Sequence, residues 1–245
     1  MTDLPGYGDL RETALALIRA QPADQQLEGV TRSLERLCRV LALRLDLLGV
    51  VVRLAASDAG TGVVVAPSGA ASALADLEVT AGEGPARTAS AVRRPVLVTD
   101  LQGPAAAGWP GFCHLASDAG LAAVFAFPLG VGAVGFGTLE LFSSSACALP
   151  RDDLALVRAF AELATEVLVD GDLTAADGNL SSSLARAFDY RAEIAQAQGM
   201  VMVDLGVTLA EAMARLRAHA FASGEPLLTL ARRVVDGYSI PAEDD

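Results

Sequence analysis

The sequence predicts an α+β fold, an antiparallel sheet with flanking helices, followed by an all-α unit of three helices. Three observations predict it. Over the first two thirds of the chain the apolar patterns run helix, strands, short helices, strands, helix, the order of a mainly antiparallel sheet packed by helices. A small, polar stretch at 171–179 then interrupts the pattern and reads as a linker. Beyond it, apolar residues recur at helical spacing in three blocks joined by two short connections.

The elements follow in order. Residues 10–20 form a short amphipathic helix, broken by Gln21-Pro22-Ala23-Asp24. A longer helix at 27–46 carries Val30, Leu34, Leu37, Cys38 and Leu41 on one face. Residues 50–55 and 63–66 are β-rich and flank the turn signal at 58–62, which predicts a hairpin. Gly82-Glu83-Gly84-Pro85 reads as a turn between a strand and a short helix at 86–93. A strand follows at 95–98. Trp109-Pro110-Gly111-Phe112 marks a loop or helix start. Apolar strands at 122–129 and 135–142 flank a glycine-rich hairpin loop. Pro150-Arg151-Asp152-Asp153 opens a helix running to about residue 169, its two aspartates complementing the dipole.

After the linker a helix runs from Leu184 to Gly206, a natural stop. Thr208-Leu209-Ala210-Glu211 has capping-box spacing, so hydroxyl and carboxylate each reach the other residue's amide. Leu209, Ala212, Met213, Leu216 and Ala220 form the stripe of that second helix, and Ser223-Gly224 stops it. Pro226 suits the first turn of a third helix, whose stripe is Leu227, Leu230, Ala231 and Val234. The implied boundaries are an N-terminal extension at 1–25, a first domain at 26–170, a linker at 171–180, the three-helix unit at 181–238 and an acidic tail at 239–245.

Composition narrows the function classes. A hydrophobic fraction of 52% over 245 residues is ample for a core, and no uninterrupted apolar run reaches transmembrane length. The N-terminus lacks a basic segment followed by an apolar one, so no secretory signal is expected. Cys38, Cys113 and Cys147 are odd in number and widely spaced, which suits reduced thiols in a cytoplasmic protein. Every basic residue is arginine. The net charge of −12 argues against nonspecific nucleic-acid binding by the whole chain. From 184 to 237, however, six arginines meet six acids, so that segment is neutral. It would bind a nucleic acid only where its arginines gather on one face, weakly and with salt sensitivity.

The remaining chemistry is sparse. Gly82-Glu83-Gly84-Pro85 lacks the lysine and spacing of a phosphate loop. Cys113-His114 is a weak haem signal, and a structural histidine is the default. His219 sits among arginines in the three-helix unit. A thiol reductase needs a thiolate beside a resolving cysteine, and nothing in the sequence gathers the three. No paired carboxylates, nucleophile elbow or metal-ligand set is present. The chain is therefore not expected to be an enzyme, and no cofactor or metal is expected.

Arg191, Ile194, Ala197, Gly199, Met200, Thr208, Glu211, Ala212, Leu216, Arg217 and Ala220 fall in order on a pattern similar to the ANTAR domain, the RNA-binding module of bacterial transcription antiterminators. The family's usual lysine is Gln198 here, which removes one cation. The resemblance implies RNA contacts by Arg191, Gln198, Gly199, Arg215, Arg217 and Arg232, and a target of hairpins in leader transcripts. Unpaired loop bases would be the part read.

Residues 26–170 resemble a GAF domain, a small-molecule sensor fold. The residues carrying this are Leu48-Gly49-Val50-Val51-Val52, Gly82-Glu83-Gly84-Pro85, Arg94 to Leu101, Phe127-Pro128-Leu129 and Gly137 to Leu141. The resemblance implies a pocket for an unidentified small-molecule or protein signal, lined by Val52, Trp109, Phe112, Phe125, Phe127 and Leu139. Ordinary core packing is the competing reading for most of those positions. The combined expectation is a signal-responsive antitermination regulator, a homodimer without a membrane partner. The alternative is a sensor whose C-terminal helices dock a protein rather than RNA.

Overall fold

The computed structural model of the chain describes residues 7–20, 29–54, 63–65, 69–174 and 182–241. The first domain contains helices α1 (Tyr7–Ala20) and α2 (Gly29–Arg44), strands β1 (Gly49–Leu54) and β2 (Val63–Val65), and helices α3 (Gly69–Ala81) and α4 (Pro85–Val92). Strand β3 (Val96–Val98), helix α5 (Pro110–Asp118), strands β4 (Ala123–Val131) and β5 (Val134–Ser143) and helix α6 (Arg151–Thr174) complete it. The five strands pair antiparallel in the order β2-β1-β5-β4-β3.

Strand alternation divides this domain into two apolar layers, because successive side chains leave opposite faces. Val50, Val52, Phe125, Phe127, Leu129, Leu139 and Leu141 point toward α1, α2 and α6, where Leu34, Leu37, Leu41, Val157 and Phe160 meet them. Val51, Val124 and Phe142 point the other way and pack under α3 and α5 with Ala71, Ala75, Phe112 and Ala116. Gly137 sits where β5 crosses β1, and a Cβ there would fall 1.9 Å from the carbonyl oxygen of Arg53.

The second unit is α7 (Ser182–Leu205), α8 (Leu209–Ser223) and α9 (Leu227–Val235). Ile194, Ala197, Val201, Ala212, Leu216, Ala220, Leu227, Leu230 and Val234 make its core. The capping box forms as expected. Thr208 Oγ1 accepts from the Glu211 amide at 3.2 Å, and Glu211 Oε2 accepts from the Thr208 amide at 2.8 Å. Ile240 lies beyond the last helix and is buried in the same core.

Several elements differ from expectation. No element is predicted over 69–81, where α3 forms. Its sequence is rich in small residues, and it buries the polar Glu78 and Thr80 beside its apolar residues, so burial does not follow hydropathy and the periodic signature is weak. Gly82-Glu83-Gly84-Pro85 consequently joins two helices rather than a strand to a helix. Trp109 is the N-cap of α5, in agreement with the expected loop or helix start. The helix after Pro150 continues to Thr174, into the expected linker. Pro226 is the N-cap of α9 rather than inside its first turn. The turn signal at 58–62 and most of the linker lie outside the described residues. No described helix is long and apolar enough to cross a membrane.

Candidate functional site

The outer face of α7 carries exposed residues, Ala192, Ala195 and Val203 among them. With Ile194, Ala197 and Val201 turned inward, helical geometry places Ala192, Ala195, Gly199 and Val203 on the opposite side. A Cβ at Gly199 would meet nothing within 4 Å. Val203 is 72% exposed and Leu209, at the start of α8, is 52% exposed. Gln198 spans these two helices: its Nε2 donates to the Leu209 carbonyl at 2.7 Å. This bond ties α8 to α7 with the group that replaces the family's lysine. The side chain of Arg191 lies outside the described residues.

The described arginines of this unit are not on one face. Arg215 and Arg217 are two residues apart on a helix and so leave opposite flanks of α8. Arg215 lies beside Glu211, whose carboxyl is held below its ordinary range by the Thr208 amide, the Thr208 hydroxyl and then the Arg215 charge. Arg232 Nε pairs with Glu193 on α7 at 2.7 Å, and Arg233 pairs with Glu225 at 2.7 Å while its guanidinium lies 4.0 Å from the Tyr238 ring centre. His219 Nε2 hydrogen-bonds the Tyr238 hydroxyl at 3.0 Å, so it packs within the unit instead of facing solvent alone.

Arg217 points toward the first domain. A Cβ on Gly82 would lie 3.1 Å from both Cδ and one terminal nitrogen of its guanidinium, so that group rests against the Gly82 backbone. Its Nε is buried without a hydrogen-bond partner. Burial, and then the like charge of Arg87, lower its proton affinity from the ordinary arginine value. Nearby, the His114 and Phe221 rings meet at a centroid distance of 5.6 Å.

Sequence reasoning missed a buried charged cluster on the sheet face under α3 and α4. Arg53 Nε and a terminal nitrogen donate to the two Glu140 oxygens at 2.8 and 3.1 Å, and a terminal nitrogen reaches the Ala75 carbonyl at 2.7 Å. Thr138 donates its hydroxyl to Glu140 at 3.0 Å. Glu78, 1% exposed, accepts from the amides of Ala86 and Arg87 at 2.9 and 3.3 Å and so caps α4 from the preceding helix. Burial and then the Glu140 charge push the Glu78 carboxyl up to about 8, against the pull of Arg53 and the two amides. Gly84 permits this arrangement: a Cβ there would fall 2.4 Å from the Glu78 carboxyl carbon. The available signal was a charge in each of two apolar strands, Arg53 in Val50-Val51-Val52-Arg53 and Glu140 in Leu139-Glu140-Leu141. A strand register that sets Arg53 opposite Thr138 and Val51 opposite Glu140 makes the two charges diagonal neighbours.

The six expected pocket residues do not share a cavity. Val52, Phe125, Phe127 and Leu139 are buried in the layer under α1, α2 and α6, whereas Trp109 and Phe112 pack on the opposite face of the sheet. The cause is strand alternation, which a list of nearby aromatic residues ignores. A cleft of about 180 Å³ lies instead between α4 and the β4–β5 hairpin, lined by Ser90, Arg93, Pro128, Leu129 and Val134 among others. The cysteines are separated in the same way: Cys38 is in the α2 layer and Cys113 is on α5 across the sheet. Burial and then the Glu35 charge push the Cys38 thiol far up, and burial and then Glu83 raise Cys113. Cys147 is exposed. Among the described residues no group of three His, Cys, Asp or Glu side chains is placed to hold a metal.

The fold is of the two-module class, a helix-flanked antiparallel sheet domain followed by a three-helix unit. The GAF domain family matches residues 29–169 and the ANTAR domain family matches 182–235, so the chain belongs to the GAF family and carries an ANTAR domain behind it: it is a GAF- and ANTAR-domain regulator. The GAF domain of a phosphoenolpyruvate-protein phosphotransferase from Coxiella burnetii superimposes with a TM-score of 0.51 at 13% identity, over 71% of this chain and 99% of that one. A domain of a two-component sensor histidine kinase protein from Sinorhizobium meliloti 1021 gives 0.50 at 14% identity, over 62% and 99%. A free methionine-R-sulfoxide reductase from Neisseria meningitidis gives 0.48 at 15% identity, over 71% and 95%. At these identities the likeness is one of fold. No curated protein matches the chain.

Proposed function

We propose that this regulator binds hairpins in nascent leader transcripts through its ANTAR domain, and that by holding one RNA fold it prevents a terminator from forming. The observation that carries the reading is Gly199. A glycine inside a helix costs about 1 kcal/mol relative to alanine. Nothing in the described chain comes within 4 Å of the space a side chain would take there, so no internal packing accounts for it. A surface that small and open suits close approach by a nucleic-acid backbone, with Arg191 about two helical turns before it in sequence and Arg215 on the adjoining helix as phosphate contacts. Gln198, Arg217 and Arg232 complete the set of contacts. Loop bases would supply specificity, because single-stranded loops expose the edges and faces that side chains read.

A second copy of the chain would raise avidity on paired hairpins through effective concentration. The GAF domain would supply the response to a signal, and no catalytic step is assigned. The buried, up-shifted Cys38 and its separation from Cys113 by the sheet support that assignment. A second reading is supported by Val203 and Leu209, two exposed apolar residues beside the same α7 face, which suit a protein partner. A salt-titrated binding assay against a tandem-hairpin leader RNA, with a loop-scrambled control, separates the two. Loop-dependent binding that weakens with salt supports the RNA reading. Equal binding to both RNAs, or none at low salt, transfers the face to a protein partner.

A further inference from the structure

We infer that the last turn of α3 is a latch through which the GAF domain docks the ANTAR domain and masks Arg217 from RNA, so that signalling must release this turn before RNA is bound fully. The inference rests on the RNA reading of Arg217 above and assigns the regulation of that surface.

Four contacts on one short stretch carry it. Glu78 belongs to the buried charged cluster of the GAF domain and caps α4. Val79, the next residue, is 5% exposed and is part of the ANTAR core, packed with residues of α7, α8 and α9. Thr80 Oγ1 accepts from the Leu227 amide at 3.2 Å, a buried bond at the first residue of α9. Pro226, the N-cap of α9, provides no side-chain acceptor, so Thr80 fills a role that a helix ordinarily fills from its own sequence. Gly82 then lies against the Arg217 side chain, at a φ of 73° that strains any residue with a Cβ, and a side chain there would have to displace the guanidinium by a few tenths of an ångström. Residues 78 to 82 thus contact both domains within little more than one helical turn.

The docked arrangement is also poised to open. Arg217 has a buried Nε without a partner, and beyond burial the charge acting on it is the like charge of Arg87. An unneutralised guanidinium is costly to bury, whereas an RNA phosphate would neutralise it. Two further contacts span this boundary: Phe221 meets the ring of the exposed His114, and β2 packs against α7. The interface therefore opposes a well-made cap and a core valine to an unpaired charge, which makes it a two-state element that a change around Glu78 can bias.

The test uses the full chain with two substitutions confined to the GAF side, Thr80→Val and, on the surface, His114→Ala, which keeps the fold intact if the first does not. Hydrogen exchange of the Leu227 amide and of α8 reports docking without RNA. Binding of the tandem-hairpin RNA reports masking. The latch predicts faster exchange in both variants and about tenfold tighter RNA binding, as when the competent fraction rises from about a tenth toward one. Adding Arg217→Ala should cancel that gain. Unchanged exchange overturns the latch, and faster exchange with unchanged or weaker RNA binding overturns the masking. If no variant binds the RNA, the RNA reading falls and masking with it, while the exchange pattern still decides the latch.

Discussion

Arg53 meets Glu140 side-on, two guanidinium nitrogens to two carboxylate oxygens, inside the sheet domain where Glu140 has no exposed surface. A buried bidentate pair is worth little as a pair but is expensive to break from one side, because the survivor is left charged and unsolvated. Glu140→Ala should therefore destabilise the chain by about 3–5 kcal/mol, whereas Arg53→Met with Glu140→Leu should sit within about 2 kcal/mol of the parent. Chemical denaturation of the two variants measures the difference. Equal losses would place the stability of this region in its packing rather than its charges.

The Glu78 carboxyl gives the protein a pH response. Its value in the folded state is raised to about 8, so between the ordinary carboxyl value and 8 the folded chain holds a proton that the unfolded chain has lost. Stability from this group is complete below about 4.5 and is lost as the pH rises through 8. The melting temperature should fall by about 5 °C between pH 6 and pH 8.5, on the scale of a few kcal/mol in a chain of this size. Glu78→Gln should flatten that slope, and an unflattened slope in the variant would assign the response to another group.

Thr208→Ala removes the hydroxyl half of the capping box at α8. The expected loss is about 1 kcal/mol. Calorimetry should locate it in the ANTAR transition if that unit melts separately, or in a single shared transition if the α3 contacts hold the two domains together.

Gly199→Leu separates stability from function. The helix should gain about 0.5–1 kcal/mol, since leucine is the better helix former and the structure offers the side chain open space. RNA affinity should fall at least about tenfold, the equivalent of 1.4 kcal/mol lost to steric obstruction. Unimpaired RNA binding in that variant would remove Gly199 from the interface.

The parts of this architecture with a periodic or capping signature were legible in the sequence. The α2 stripe, the Thr208 box and the stops at Gly206 and Gly224 are local, and each forms where its residues predict. The ANTAR spacing likewise survives as a core of Ile194, Ala197, Ala212 and Leu216. What was not legible depends on where the faces end up. Helix α3 is rich in small residues and buries Glu78 and Thr80 along with its apolar ones, so its stripe is weak. The expected pocket mixed residues from both sides of the sheet, since adjacency in composition says nothing about the side of a strand. The placement of Arg217 was not legible either: its motif position is shared with the family, but the residue it rests on, Gly82, lies 135 residues earlier.

The cap that Thr80 supplies to α9 bears on how such proteins diversify. Shuffling a C-terminal output unit onto a new receptor is the simplest evolutionary route to a new regulator. Here the transplanted unit would leave behind one valine of its own interior and the acceptor for the first amide of its last helix. Any successful descendant would need a receptor offering a hydroxyl and a small aliphatic side chain at the same place, so inheritance should favour the pair as a unit over either half.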